Sequence, residues 1–282
     1  MKKLLITGSN GYLGSSFINQ YKDKYDFEIF SLLNQKLEDI NFDGTDVVLH
    51  CAALVHQKVE HSYEKYYEVN VEYPVKLAKL AKENGVKQFV FISTIAVYGE
   101  EKEELNENTI CNPATFYGKS KLEAEKELLK LNDDSFTVSI IRPPMIYGKS
   151  APGNIDSLVK LVKKLAIIPL AKIENKRSFI SIQNLCHLVD EIITQEKQGI
   201  FLASDDKSLS TSKLIELIAK NLDKKIYLIK IPFFETLLKI LKPSFHKRLY
   251  GSLEVDNSIT KEKLNLRNPY SVEDGIKLMI KS

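Results

Sequence analysis

Apolar residues in the first half of the chain form short runs of the length expected for buried β-strands. The runs lie at residues 3–7, 27–33, 46–53, 88–93 and 136–141. Most of the stretches between them have the apolar spacing of amphipathic helices, whereas residues 34–45 are too short for a full helix plus a strand. Strands that alternate with helices in this way predict an α/β fold built on a doubly wound parallel sheet.

A glycine-rich turn, Gly8-Ser-Asn10-Gly11-Tyr12-Leu13-Gly14, follows the first predicted strand and opens the first predicted helix. Glycine in these positions allows a tight turn, a close approach of the backbone to a pyrophosphate, and close packing of the helix on the strand. The N-terminus of the helix then directs unpaired N–H groups at the phosphates. We therefore predict a Rossmann-type sheet that binds a nucleotide.

Beyond Gly148 the regular alternation ends. Helices are predicted at residues 155–165, 183–195, 211–221, 232–241 and 271–280, with Ser271 as the N-cap of the last. Residues 176–182 are predicted to be a strand that returns to the main body. We predict two domains: a nucleotide-binding domain of residues 1–148 plus about 179–200, and a small α/β C-terminal substrate domain of residues 149–178 plus about 201–282.

Tyr117 and Lys121 are four residues apart in a predicted helix, so their side chains share one face. A cation held that close favours the phenolate, which predicts a tyrosine pKa lowered toward neutrality. Such a tyrosine can exchange a proton with a sugar hydroxyl or carbonyl. Thr94 ends a neighbouring strand and offers a hydroxyl to hold the substrate oxygen. The pair by itself also fits a solvated helix face, and it is the glycine turn that favours the catalytic interpretation.

The end of the second strand, Ser31-Leu-Leu-Asn34, has neither the acid that holds the ribose of NAD nor an arginine for the 2′-phosphate of NADP. The choice between the two cofactors therefore stays open at this point. The strand that ends in Cys51, Ala52 and Ala53 has small side chains that let a cofactor lie against the backbone.

Composition and charge exclude several classes of protein. The 282 residues have a net charge of +3 with dispersed basic residues, so no nucleic-acid partner is indicated. Three unpaired cysteines predict a reducing, cytoplasmic location, and no apolar run approaches the roughly 18 residues of a membrane span. The spacing of His50, His56 and His61 fits no zinc pattern, so we predict no metal. The apolar segment 231–243 is expected to cover the small domain, with a membrane surface or a partner enzyme as alternatives.

These motifs, in this order, resemble the extended short-chain dehydrogenase/reductase family, and within it the NAD-dependent epimerase/dehydratase group that acts on nucleotide sugars. The resemblance implies a catalytic triad of Thr94, Tyr117 and Lys121. It implies NAD(P) contacts from Gly8, Asn10, Gly11, Tyr12, Leu13, Gly14, Ser31, Cys51, Ala52, Ala53, Asn70, Tyr117, Lys121 and Pro143. It implies substrate contacts from Thr94, Tyr98, Met145, Asn154 and Arg177, the last on the diphosphate. Family members are usually homodimers, and the sequence is compatible with that state.

Two departures from the family pattern narrow the expected activity. Dehydratases of the family carry Asp-Glu directly after the triad threonine, whereas Ile95-Ala96 follow Thr94 and cannot move a proton. Met145 stands where many epimerases have a substrate-binding Asn. The resemblance then implies hydride transfer at C4 of a UDP-hexose or UDP-N-acetylhexosamine derivative. The missing acid at the end of the second strand and the compact substrate domain favour a 4-ketoreductase of cell-surface polysaccharide biosynthesis. The alternatives are a 4-epimerase with bound NAD and a non-catalytic NAD(P)-sensing subunit.

Overall fold

A six-stranded parallel sheet forms the centre of the protein in a computed structural model that describes residues 1–31, 35–55, 61–99 and 102–281. The strands are β1 (Lys2–Thr7), β2 (Tyr25–Phe30), β3 (Val47–His50), β4 (Gln88–Ile92), β5 (Glu104–Leu105), β6 (Thr137–Arg142), β7 (Met145–Tyr147), β8 (Ile167–Ile168), β9 (Phe179–Ser181), β10 (Gly199–Leu202), β11 (Tyr227–Leu228) and β12 (Glu254–Val255). The main sheet has the order β10-β6-β4-β3-β1-β2. The predicted doubly wound fold is confirmed.

The helices that connect and follow these strands agree with most of the predicted positions. They are α1 (Tyr12–Tyr21), α2 (Tyr63–Tyr67), α3 (Tyr73–Glu83), α4 (Phe116–Leu129), α5 (Asn154–Lys164), α6 (Ile182–Gln195), α7 (Thr211–Asn221), α8 (Phe234–Leu241), α9 (Pro243–Tyr250), α10 (Ser258–Leu264) and α11 (Val272–Lys281). A π-helical turn, Glu68–Glu72, joins α2 to α3. Ser271 accepts a hydrogen bond from the Asp274 N–H, which confirms it as the N-cap of α11.

Two element boundaries differ from the sequence prediction. Strand β2 begins at Tyr25 and ends at Phe30, and residues 32–34 of the predicted strand lie outside the described residues. The predicted strand 176–182 is shorter, because only Phe179–Ser181 pairs regularly, with β7. Ser181 then caps α6 by accepting the Asn184 N–H, so the chain turns into a helix at once. Residues 35–45 contain a single 3₁₀ turn, Leu37–Asp39, as their short length predicted.

The side chains of β1 alternate between two hydrophobic clusters, as the two-residue period of a strand requires. Leu4 and Ile6 pack with α1 and α6 on one face, and Leu5 packs with α3 and α4 on the other. A third cluster draws on α5, α7 and α11 and includes Tyr147 and Phe179. That separate cluster supports the two-domain division, which remains a prediction.

Strand β2 lies on one side of β1, and β3 lies on the other side. The order in which successive strands are added to the sheet therefore changes direction at β1. Thr7 and His50 are paired at the carboxyl ends of these two strands. Open parallel sheets bind ligands at such a switch point, outside the carboxyl ends of the strands. A ligand site is therefore expected at the segments that follow β1 and β3.

Candidate active site

The glycine turn lies against the segment that follows β3. Gly8 has a φ of +72°, and a Cβ there would lie 2.6 Å from the Ala52 backbone nitrogen. A Cβ on Gly14 would collide with the carbonyl oxygen of Gly8, so the start of α1 packs directly on the turn. The Cys51 N–H donates to the Thr7 carbonyl at 3.1 Å and holds the two segments together. Only backbone without side chains can approach this closely.

The residues around the switch point fit a dinucleotide. Gly11 precedes α1, and within the described residues no side chain caps that helix and no acid lies in its first turn. Its N–H groups and the positive end of its dipole are therefore available to phosphates. Asn10 and Gly11 are exposed, whereas the Leu13 side chain is buried in the core, so Leu13 can contribute only its backbone. Ser31 lies beside this turn at the end of β2, adjacent to β1.

Lys121 is the second indication of a ligand. Its side chain is 1% exposed, and among the described residues its Nζ has no hydrogen-bond partner. The Nζ lies 3.8 Å from the centroid of the Phe91 ring, which compensates only in part for lost water. A buried ammonium group with three unused donors fits the hydroxyl groups of a nucleotide ribose.

The structure brings Thr94 and Tyr117 together. The Thr94 side chain hydrogen-bonds the Tyr117 phenol and lowers its pKa, although burial has the larger, opposite effect. Tyr117 lies in the first turn of α4, which Thr115 caps by accepting the Gly118 N–H at 3.1 Å. Thr94 follows β4, where its Oγ1 accepts the Ala96 N–H. The N-cap of α4 and the end of β4 therefore fix the positions of the Tyr117 and Thr94 hydroxyl groups.

The prediction that Lys121 lowers the pKa of Tyr117 toward neutrality is wrong for this state of the protein. Burial raises the pKa of Tyr117 to about 12. Burial also lowers the pKa of Lys121 to about 7, and the Glu125 carboxylate raises it in part. Because the lysine is only partly charged at neutral pH, it cannot hold a phenolate. Hydrogen-bond acceptors at Nζ would favour the ammonium form, and a charged Lys121 would then lower the tyrosine pKa.

Asn70 connects the cofactor side of the site to the catalytic helix. Its Oδ1 accepts the Leu54 N–H at 2.8 Å, and its Nδ2 donates to the Leu54 carbonyl and to Ser120 Oγ, both at 3.0 Å. It lies in the π-helical turn, and such turns are frequent at functional sites. Because Ser120 precedes Lys121, Asn70 fixes the helix that carries the lysine relative to residues 51–55.

A buried ion pair supports the triad and was missed by the sequence analysis. Glu125 on α4 accepts from Arg142 Nε at 3.0 Å and again from Arg142 Nη2, at the end of β6. Ser93 donates to the same carboxylate, directly before Thr94. The spacing in the sequence could have identified Glu125, because it follows Lys121 by four residues and Tyr117 by eight and so lies on the same helix face.

Tyr98 is placed differently from the sequence prediction. Its ring is 2% exposed, and its hydroxyl accepts from Arg142 Nη1 at 2.7 Å, so it packs beneath the site instead of facing a substrate. The side chain of Asn154, the first residue of α5, lies outside what the structure describes. Pro143 is buried after β6, and its carbonyl accepts the Ile95 N–H at 3.1 Å, next to Thr94.

Met145 and Arg177 line a cavity of about 500 Å³ in the third cluster. Arg248 on α9 also lines it, close enough to Arg177 for its charge to lower the Arg177 pKa, although burial lowers it more. Met145 follows Pro143 by two residues, and the Pro143 carbonyl accepts the Ile95 N–H, so a short stretch of chain connects the lining of the cavity to the end of β6 beside Thr94. The cavity is thus a candidate for the part of the substrate that extends away from the reacting carbon.

The histidines show no shared metal site among the residues that can be described. His50 is buried between Phe89 and Phe91, pairs with Thr7 Oγ1 at 2.9 Å, and has its pKa lowered to about 3 by burial. His56 lies outside the described residues. A different group, His187, Asp190 and Glu191, does come together. Its Asp190 carboxylate is bound by Lys24 and Tyr25.

No helix among the described residues is both long and apolar enough to cross a membrane.

The fold and the site together define an NAD(P)-dependent enzyme of the nucleotide-sugar epimerase and reductase type. Residues 4–202 match the model of the NAD dependent epimerase/dehydratase family, and the chain belongs to that family. A UDP-glucose 4-epimerase from Vibrio cholerae is 36% identical over 98% of this chain and 94% of its own length.

Two further comparisons extend this result. An N-acetyl-alpha-D-glucosaminyl-diphospho-ditrans,octacis-undecaprenol 4-epimerase from Escherichia coli O157:H7 is 26% identical over 82% of this chain and 75% of its own length. The crystal structure of a UDP-glucuronic acid 4-epimerase from Bacillus cereus with NAD has a TM-score of 0.78. It covers 99% of this chain and 97% of its own at 18% identity, which supports the fold.

Proposed function

We propose that this enzyme exchanges hydride at C4 of a hexose that carries a diphosphate at C1, and that its main reaction is C4 epimerisation. The observation that carries the proposal is the hydrogen-bonded Thr94–Tyr117 pair on and beside α4. One turn further along α4, Lys121 is buried, and its Nζ has no hydrogen-bond partner among the described residues. The Vibrio and Escherichia relatives are both named 4-epimerases, which supports our choice of epimerisation as the first candidate over the reductase expected from the sequence.

Each side chain has a defined task in this reaction. Bound NAD or NADP supplies the hydride acceptor and donor at C4. Tyr117 Oη removes the proton of the C4 hydroxyl while C4 loses hydride, and Thr94 Oγ1 holds the same oxygen. Lys121 binds ribose hydroxyls, and in its charged form it favours the phenolate of Tyr117. Return of hydride to the other face of the 4-keto sugar, with Tyr117 reprotonating the oxygen, completes the inversion.

Replacing Tyr117 with phenylalanine tests this assignment. We expect the Tyr117→Phe substitution to lower kcat about 100-fold or more, since general acid–base catalysis contributes about 10² to 10⁴. Nucleotide binding should be retained. The assay follows C4 inversion by NMR with the carriers of both relatives, UDP-glucose and undecaprenyl-diphosphate N-acetylglucosamine. The control is Tyr67→Phe, a partly buried tyrosine of α2 outside the site. Unchanged turnover in Tyr117→Phe would refute the mechanism and favour a non-catalytic nucleotide-sensing role.

A 4-ketoreductase is the second candidate, favoured by the end of β2. Ser31 stands near the position where an NAD-specific enzyme often has a ribose-binding acid, so an exchangeable NADPH is compatible with the site. The purified protein distinguishes the two reactions. Stoichiometric NAD released on denaturation supports the epimerase, whereas consumption of added NADPH with a 4-keto sugar supports the reductase.

A further inference from the structure

The C-terminal part of the described chain carries an unusual concentration of exposed apolar side chains. We call the apolar patch the set Leu165, Ile167, Tyr227, Ile229, Ile231, Phe233, Leu237, Ile240, Leu241 and Phe245, each at least 37% exposed. Strand β8 pairs with β11, residues 229–233 lead from β11 directly into α8, and α8 contacts α9, so the members of the patch lie on neighbouring elements. The expectation that segment 231–243 only covers the small domain is therefore incomplete, because Phe234 packs inward while most of its apolar neighbours face out.

Phe233 shows that this exposure is maintained at a cost. It lies at φ +61°, in the left-handed region that bulky side chains avoid, and it is 85% exposed. An aromatic residue held in a strained conformation at a surface has no role in the hydrophobic core. Strained residues cluster at active sites, ligand-binding segments and switch regions, which makes Phe233 a candidate for a contact with a ligand or a surface.

Basic residues alternate with the apolar residues of the patch along the chain. Residues 224–250 contain seven of the 40 lysines and arginines of the chain but only one of its 37 acids, Glu235. The remaining residues therefore have a slight excess of acids. Apolar side chains framed by lysines are the pattern of a protein surface that rests on an anionic bilayer.

The side chains that line the cavity behind the patch offer few polar partners to a nucleoside. Its described lining contains thirteen apolar residues, two arginines, Ser157 and Thr211, with no amide or carboxylate side chain. Both hydroxyl groups are already bonded to backbone carbonyls, Thr211 to Leu249 and Ser157 to Gly153. A base and a ribose would bury polar atoms there without partners, which is costly. A hydrocarbon chain has no polar atoms and would not have this cost.

The cavity is, however, suited to a diphosphate. Arg177 and Arg248 bring two guanidinium groups together among apolar side chains, where their mutual repulsion is relieved by an anion between them. Leu165 and Phe245 belong both to the lining and to the patch, so the cavity opens onto the patch. Met145, two residues after Pro143, also belongs to the lining.

We propose that the sugar diphosphate is carried by a polyprenyl chain, and that the apolar patch rests on the bilayer in which this chain is anchored. The sugar lies at Tyr117, the diphosphate between Arg177 and Arg248, and the first isoprene units pass Leu165 and Phe245 into the membrane. This inference rests on the proposed hydride exchange at C4 and adds the identity of the carrier.

The first experiment compares carriers. Undecaprenyl-diphosphate N-acetylglucosamine in vesicles of phosphatidylglycerol and phosphatidylcholine is compared with UDP-N-acetylglucosamine in solution, with C4 inversion or reduction as the readout. We expect kcat/KM to be at least about 100-fold higher for the lipid-linked sugar. Equal or better use of the UDP-sugar overturns the polyprenyl proposal and leaves the C4 activity intact. Reaction of neither substrate refutes the proposed function itself.

The second experiment tests the surface. The triple substitution Phe233→Ser, Leu237→Ser and Ile240→Ser removes exposed side chains, so it should not lower Tm. It should weaken cosedimentation with the same vesicles at least about tenfold and lower kcat/KM for the lipid-linked sugar to a similar extent. Ile110→Ser, an equally exposed apolar residue outside the patch, is the control.

Two results would overturn the surface assignment. One is unchanged vesicle binding by the triple variant. The other is that the unmodified protein forms a dimer, the triple variant is monomeric, and neither binds vesicles. In that case a second copy of the chain covers the patch.

Discussion

The buried ammonium of Lys121 allows a prediction that separates function from stability. Lys121→Met keeps the length and apolar stem of the side chain but removes a charge that has no described hydrogen-bond partner. Turnover should be lost, because the ribose contact and the electrostatic support of Tyr117 are both removed. The cofactor-free variant should nevertheless be more stable than the unmodified protein, since burying an unpaired charge is costly.

The size of the gain follows from the pKa. A tenfold change in proton affinity is worth about 1.4 kcal/mol, so lowering the pKa of Lys121 from 10.5 to about 7 destabilises the folded state at pH 7 by about 4 kcal/mol. We therefore expect Lys121→Met to gain up to about 4 kcal/mol at pH 7.

The sign of the pH dependence gives a second check. Above pH 7 the folded protein has largely lost the Lys121 proton, whereas the unfolded chain keeps it up to about pH 10.5. Raising the pH from 7 to 9 therefore stabilises the unmodified protein by about 2 kcal/mol. The stability of Lys121→Met does not change in this way, because the variant lacks the titrating amine. The advantage of the variant should fall to about 2 kcal/mol, roughly half of its value at pH 7, when the pH is raised to 9.

Thermal unfolding of nucleotide-stripped protein at pH 7 and pH 9 measures both effects. The Tm of Lys121→Met should be several degrees above that of the unmodified protein at pH 7, and the difference should narrow at pH 9. Lys126→Met, at an exposed position of the same helix, is the control and should change Tm little at either pH. A lower Tm for Lys121→Met at pH 7, or a difference independent of pH, would refute the reasoning.

Three further predictions concern the framework of the site. Asn70→Ala removes three buried hydrogen bonds and should lower the free energy of unfolding by about 2 kcal/mol and turnover about tenfold, measured by urea unfolding and by the C4 assay. Gly14→Ala places a Cβ against the Gly8 carbonyl and should weaken NAD binding at least about tenfold by titration calorimetry. His50→Asn should flatten the acid loss of stability between pH 6.5 and about 3, because unfolded His50 binds a proton that the buried ring cannot.

Each of these changes has its own control or contrary result. For Gly14→Ala the control is Ser15→Ala in the same turn of α1, which should bind NAD normally. For Asn70→Ala, unchanged turnover in a destabilised protein would show that Asn70 has no role in positioning the site. For His50→Asn, an acid-unfolding profile with the same slope as that of the unmodified protein would show that His50 is not the titrating group.

Short-range patterns in the sequence were sufficient for the parallel sheet, for the position of the glycine turn, and for the family. The reason is that Gly8 to Gly14 and Tyr117 to Lys121 each act within one turn or one helix face, where spacing alone decides direction. Sequence spacing does not report burial. Only the tertiary structure places Lys121 beside Phe91 with no hydrogen-bond partner among the described residues, raises the Tyr117 pKa, and pairs Tyr98 with Arg142.

The cavity is the clearest case of a feature that the tertiary structure decided. Met145, Arg177 and Arg248 are separated by up to about a hundred residues, and they meet because α9 packs on the third cluster. Arg177 alone was identifiable as a candidate for a diphosphate, whereas its neighbour Arg248 and the apolar lining depend on long-range packing. Local sequence determined the motifs on which the proposed hydride transfer rests. The contacts between distant segments determined which side chains line the cavity.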